Sequence, residues 1–350
     1  MAKARNLVIC FDAFGTLFKI KQPIEQQYGD IARRQFGLDD PGMTDDQLRA
    51  SFRAAFKTAS RQHPNYGHTS NMGATAWWTS VINDTFRPFA GDLPRGLAPR
   101  LIERFASSEA YTMAPQLTTL LRELQLQKRY DQIVVGVITN SDDRVPDILM
   151  SMGLRVRPLR YGQSQDQDQD QDDQLLDGQD PEGLGKLTEQ NEASIGQSSH
   201  PNPNAENDID FHCMSYDVGV EKPDPRIFRA AEGLLPVVLA SKQKRNIKGL
   251  HAALQQSIGH KGSHDTPPFS LKDWDRMYVG DEWEKDVVGA QTAGWFPVLL
   301  QDEGERSQND NTRGIQLLTQ LPPQTVGELA KQYVVVGIDS IASLLEWLKR

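Results

Sequence analysis

Four short apolar runs, at residues 7–11, 133–138, 211–215 and 277–279, each give way to polar, chemically capable residues. In chain order these are Asp12, then Thr139-Asn140-Ser141, then Val220-Glu221-Lys222-Pro223, then Gly280-Asp281. Helix-patterned segments lie between the runs, and strands alternating with helices predict an α/β fold with a parallel, doubly wound sheet. All four strand ends then face one sheet edge, where open α/β folds bind ligands. The polar residues at those ends are expected to meet there.

Asp12 is the sharpest of them. A carboxylate at the end of a buried strand is costly to desolvate unless a cation or several donors compensate it. An ordinary turn-forming Asp fits the segment Asp12-Ala13-Phe14-Gly15-Thr16-Leu17 as well, so the other ends must decide. Asp281 and Asp286 stand five residues apart, one at a strand end and one a turn into the next helix. Asp12, Asp281 and Asp286 crowded at one edge would repel without a cation, and an all-oxygen set with water suits Mg²⁺. Thr139, with the backbone amides after it, can hold a transferred oxygen. Lys222, kept out of regular helix by Pro223 and Pro225, can balance the charge of nucleophile and substrate.

Residues 18–114 have a different pattern. Helical spacing over 24–36, 44–60, 74–86 and 97–105 predicts a helical insertion after the first strand, able to cover the sheet edge. Of Trp77 and Trp78, one is expected in the core of that insertion and the other nearer its surface. Three further insertions are read at 163–210, 241–270 and 303–332. The first carries 13 Asp and Glu against one Lys, so the net charge of -9 is concentrated there. It is too poor in apolar residues to offset chain entropy and reads as a disordered loop. The rest of the chain is close to neutral, which argues against a nucleic-acid-binding face. In the second insertion His251, His260 and His264 read as scattered surface histidines rather than a metal site.

The two cysteines, Cys10 and Cys213, sit in apolar runs and read as buried thiols of a reducing compartment. No run approaches the roughly 18 apolar residues of a bilayer span. The chain enters its first strand almost at once, leaving no room for a secretory segment. A cytoplasmic or nuclear protein with no membrane partner is expected.

The order Asp12, Thr139, Lys222, Asp281 with Asp286, each in its context, resembles the haloacid dehalogenase-like hydrolase superfamily. The stretches His63-Pro64-Asn65-Tyr66-Gly67-His68 and Trp77-Trp78-Thr79-Ser80-Val81-Ile82 are similar to the eukaryotic group called haloacid dehalogenase-like hydrolase domain-containing protein 3. The resemblance implies a Rossmann-like core over 1–17 and 115–350 and a helical cap over 18–114. It implies Asp12 as nucleophile and Lys222 as its catalytic partner, with Thr139 and Asn140 on the substrate. Mg²⁺ would be held by Asp12, Asp281, Asp286 and the backbone carbonyl of Phe14. One position departs from the pattern. Phe14 stands where superfamily phosphatases usually carry a second Asp as general acid and base.

The expected function is therefore a Mg²⁺-dependent phosphohydrolase acting on a small phosphorylated metabolite. Without the general acid, its activity should be weak or restricted to leaving groups that need no proton, such as acyl or aryl phosphates. Two alternatives stay open at this point. One is a catalytically silent binding protein that meets a protein partner through the insertions. The other is a 2-haloacid-type dehalogenase, which Phe14 suits and Asp281 does not.

Overall fold

The structure, a computed structural model, describes residues 6–162, 207–242, 271–301, 315–322 and 324–350. The reading of 241–270 as an insertion, with its histidines, and most of the acidic stretch fall outside them.

Strand β1 (Asn6–Phe11) lies near the middle of a seven-stranded sheet. Its alternation is complete. Leu7, Ile9 and Phe11 enter one core and Val8 and Cys10 the other, so both faces are buried and the run is apolar throughout. The remaining strands are β2 (Phe18–Ile20), β3 (Tyr111–Met113), β4 (Gln132–Thr139), β5 (Phe211–Met214), β6 (Trp274–Gly280), β7 (Phe296–Leu300), β8 (Gln316–Leu317) and β9 (Val336–Ile338). The large sheet runs β5-β4-β1-β6-β7-β9-β8, with every pair parallel. β1 sits between β4 and β6, so Asp12, Thr139 and the Gly280-Asp281 turn emerge side by side. Asp12 N–H donates to the Val279 carbonyl at 2.9 Å, carrying the β1–β6 ladder one residue past the strand.

The chain leaves the sheet after β1 and returns through β2 and β3, a small antiparallel pair that brackets the helical segment. Within it stand α1 (Ile24–Phe36), α2 (Asp45–Gln62), α3 (Ala74–Phe86) and α4 (Leu97–Phe105). Thr44 begins α2 as its cap, accepting from Gln47 N–H. Tyr28, Ile82, Phe86, Leu101 and Phe105 join the sheet's own core, whereas Trp77 and Val81 form a satellite cluster with Ala55 and Ala59.

The structure differs from the sequence reading at three places. Residues 207–210, read as the end of a disordered loop, are packed. Asp208 pairs with Arg155 at 2.6 Å, and Asp210 accepts the Val135 N–H at 2.9 Å and pairs with Lys242 at 3.0 Å. Acids that look solvated in sequence are here compensated by partners far along the chain. Within 303–332, the described residues supply β8 and a helix at Val326–Gln332, and Leu318, Leu321, Val326 and Leu329 lie in the main core. Finally β7, with all five residues buried, was not foreseen. Pro297 interrupts its run, and the β7–β9 ladder begins only at Val298.

Candidate active site

Lys222 organises the sheet edge. Its Nζ lies 2.8 Å from Asp12 Oδ1 and donates to Asp286 Oδ1 and to the Tyr278 hydroxyl, both at 2.7 Å. Tyr278 OH in turn donates to the Ile138 carbonyl at 2.7 Å. Burial works against the Lys222 ammonium, but Asp12 and Asp286 outweigh it and hold its pKa above the ordinary lysine value. Lys222 is therefore a cation near neutral pH, fixed at three points.

Asn140 places the backbone of that lysine. Its Nδ2 donates to Lys222 O at 3.0 Å, and its Oδ1 accepts Lys222 N–H at 2.7 Å. The carboxamide read as a substrate contact is thus committed to Lys222. Thr139 is buried, lines the cavity, and its hydroxyl works against the rise in the Asp12 pKa.

Asp12 is 6% exposed, and burial keeps its carboxyl above the usual range despite Lys222. Its Oδ1 meets Lys222 at 2.8 Å off the hydrogen-bond axis and is left without a hydrogen bond. One ligand oxygen from each of Asp12, Asp281 and Asp286 lies within 4.8 Å of the others. Asp281 is partly exposed, accepts from Thr16 Oγ1 at 3.2 Å, and has its pKa pushed up to about 6 by burial, Asp12 and Asp286. Asp286 is more committed, because its Oδ2 accepts the Glu282 N–H at 2.9 Å while Oδ1 holds Lys222.

Two glycines make this crowding feasible. A Cβ on Gly15, which has φ +83°, would collide with the Asp281 carboxylate, and one on Gly280 would collide with Asp286. Three clustered carboxylates, two of them on Lys222, with a buried oxygen lacking a hydrogen bond, form an oxygen-only set that fits a hard divalent cation. Phe14 stands on the same loop, its ring 37% exposed and edge-on to Phe18 at 4.9 Å and Tyr111 at 5.8 Å.

Above Asp12 opens a cavity of about 290 Å³ that both the sheet edge and the helical segment line. The helical segment is held there by Asn65, whose Nδ2 donates at 3.0 Å to both the Ser215 and Tyr216 carbonyls. Trp78 adds a second tie, its Nε1 donating to Asp142 at 2.5 Å. Trp77 is the buried member of the pair. Residues 7–237 match the family model described as haloacid dehalogenase-like hydrolase. The chain belongs to that family.

The chain is 30% identical over 297 residues to uncharacterised protein YMR130W of Saccharomyces cerevisiae, covering 85% of this chain and 72% of that one. It is 34% identical over 143 residues to haloacid dehalogenase-like hydrolase domain-containing protein 3 of Xenopus tropicalis, 40% of this chain and 71% of that one. A solved 2-haloacid dehalogenase from Pseudomonas syringae pv. Tomato DC3000 aligns over 99% of both chains with TM-score 0.47 and 16% identity.

Tyr278, Asp142, Arg144 and Tyr28 were not singled out from sequence. Tyr278 had a signal, a hydroxyl two positions before Gly280 in an apolar strand. The others depend on contacts between the sheet edge and helices far away in the chain. Among the described residues no helix is long and apolar enough to cross a membrane.

Proposed function

We propose that this haloacid dehalogenase-like hydrolase is a phosphohydrolase in which Asp12 is the nucleophile, with the helical segment as a cap over it. The observation that carries this reading is the buried Asp12–Lys222–Asp286 array, whose Asp12 and Lys222 line a cavity, with Asp281 alongside. The Asp12 carboxylate attacks phosphorus, an O–P bond forms, and the bond to the leaving oxygen breaks. Water then attacks the aspartyl phosphate, releasing phosphate and restoring Asp12. Lys222 holds positive charge beside the attacking carboxylate, and the Thr139 hydroxyl, lining the same cavity, would hold a phosphoryl oxygen. Asp12, Asp281 and the Phe14 carbonyl would hold Mg²⁺, with Asp286 fixing Lys222 behind them. When bound, the ion would neutralise phosphoryl oxygens and relieve carboxylate repulsion. The Phe14 side chain gives the leaving oxygen no proton, which favours leaving groups stable as anions.

The test uses Mg²⁺ with trifluoroberyllate, an acyl-phosphate mimic that forms on a carboxylate. The wild-type protein should be stabilised to heat by the pair together, and Asp12→Asn should lose the increment. A wild-type protein indifferent to the pair would sink the phosphoryl reading.

A further inference from the structure

The cavity wall above Asp12 is aromatic and aliphatic, with Phe14, Phe52, Phe56, Tyr66, Trp78 and Phe105 among its residues. A volume of about 290 Å³ falls at the small end of ligand pockets, roughly 300–1,000 Å³. A phosphorylated sugar would leave its hydroxyls facing apolar rings without partners, a costly arrangement. A flat apolar body suits these walls.

Ser141, Asp142, Glu282 and Lys285 also line the cavity, and beside them one group has a donor to spare. The Arg144 guanidinium lies 4.4 Å over the Trp78 ring, with Nε and Nη2 donating to Asp142 at 2.9 and 2.8 Å. Nη1 has no partner among the described residues. Tyr28 is 3% exposed, lines the same cavity, and its hydroxyl likewise bonds nothing among the described residues. Arg144, Tyr28 and Tyr111 all line this one cavity. Asp142 already balances Arg144, and at the mouth Lys285 pairs with Glu282 at 2.8 Å. A further carboxylate would therefore bring an uncompensated charge into the cavity. An uncharged oxygen would satisfy two idle donors at no such cost.

We propose that Arg144 Nη1 and the Tyr28 hydroxyl form a polar subsite for an uncharged acceptor oxygen on a planar, apolar substrate body. The preferred substrates are then phosphate esters of aryl type that carry a carbonyl or ether oxygen remote from the phosphate. This rests on the phosphoryl reading and adds to it the character of the leaving group.

Non-hydrolysable phosphonates separate binding from leaving-group chemistry. Titration calorimetry with Mg²⁺ would compare methylphosphonate with benzylphosphonates bearing 4-ethyl, 4-acetyl or 4-carboxy groups. The benzyl compounds should bind at least about tenfold tighter than methylphosphonate through burial of the ring. The acetyl compound should exceed the ethyl one by about tenfold, from two hydrogen bonds worth a modest net gain each. The carboxy compound should gain nothing over ethyl.

Tyr28→Phe keeps the ring, stacked on Phe86 at 5.9 Å, and removes only a hydroxyl that has no partner among the described residues, so it should fold. It should cut the acetyl preference to about threefold, the share of one hydrogen bond. Arg144→Lys, which keeps a positive charge beside Asp142 and leaves the Trp78–Asp142 tie in place, should remove the share of Nη1. A carboxy compound that binds tightest, an acetyl preference unmoved by Tyr28→Phe, or methylphosphonate equal to the aryl compounds would each overturn the subsite. Failure of the trifluoroberyllate test would instead remove the phosphoryl reading beneath it.

Discussion

Asp281 is the site carboxyl on which proton and metal ion would compete most directly. Its pKa is pushed up to about 6, by burial first and then by Asp12 and Asp286. A carboxyl raised in the folded state stabilises the metal-free fold at low pH, and that contribution is lost as pH rises through about 6. The same proton must leave before the ion binds. Apparent Mg²⁺ affinity should therefore be flat above pH 7 and fall by up to about tenfold per unit below the pKa. Mg²⁺ titrations at a series of pH values would show it, and Asp281→Asn should bind weakly at all of them. An affinity that ignores pH between 7 and 5 would remove Asp281 from the ligand set.

Phe14 invites the complementary change. Phe14→Asp restores a proton donor, so turnover of an alkyl phosphate, whose leaving group needs that proton, should rise by roughly 10²-fold, the lower part of the usual acid–base contribution. No gain would mean that something other than the missing acid limits the site. Asp12, Thr139, Lys222, Asp281 and Asp286 were legible because each follows a recognisable strand or turn. Asn140 was legible as a site residue, but its binding to Lys222 across 82 positions was not. Tyr278, Arg144 and Tyr28 act through such long-range neighbours, which spacing in sequence cannot reveal.

Among elements, the strands that carry the site were readable, and those that only complete the sheet were less so. β1 is a continuous apolar run because both its faces are covered, whereas β7 carries Pro297 and β8 has two residues. The pair β2–β3 is too short to stand out beside four helices. The helix Val326–Gln332 carried an overlooked signature. Thr325 Oγ1 accepts from Glu328 N–H at 3.3 Å, and Glu328 Oε2 accepts from Thr325 N–H at 2.6 Å, the reciprocal pair of a capping box. Thr325→Ala should cost about 1 kcal/mol, and Thr325→Ser should restore most of it. Chemical denaturation of the three proteins would measure this. No loss in the alanine variant would mean that this helix lies outside the cooperative unit.

At the scale of the molecule, the cavity exists only because the helical segment lies against the sheet edge. Asp12, Thr139 and Lys222 come from one side, and Phe52, Phe56 and Trp78 from the other. Few polar ties hold this closure, and Asn65 makes two of them. Its φ of 53° is left-handed, a region that asparagine tolerates and glycine adopts freely. Asn65→Gly therefore keeps the turn while deleting only the side-chain hydrogen bonds. With two bonds lost at a net of about 1 kcal/mol each, affinity for trifluoroberyllate should fall roughly tenfold or more. Mg²⁺ affinity should hardly change, since Asp12 and Asp281 belong to the sheet edge. That split distinguishes loss of closure from damage to the site. If both affinities fell together, Asn65 would be supporting the edge itself; if neither fell, binding would not depend on how the helices close.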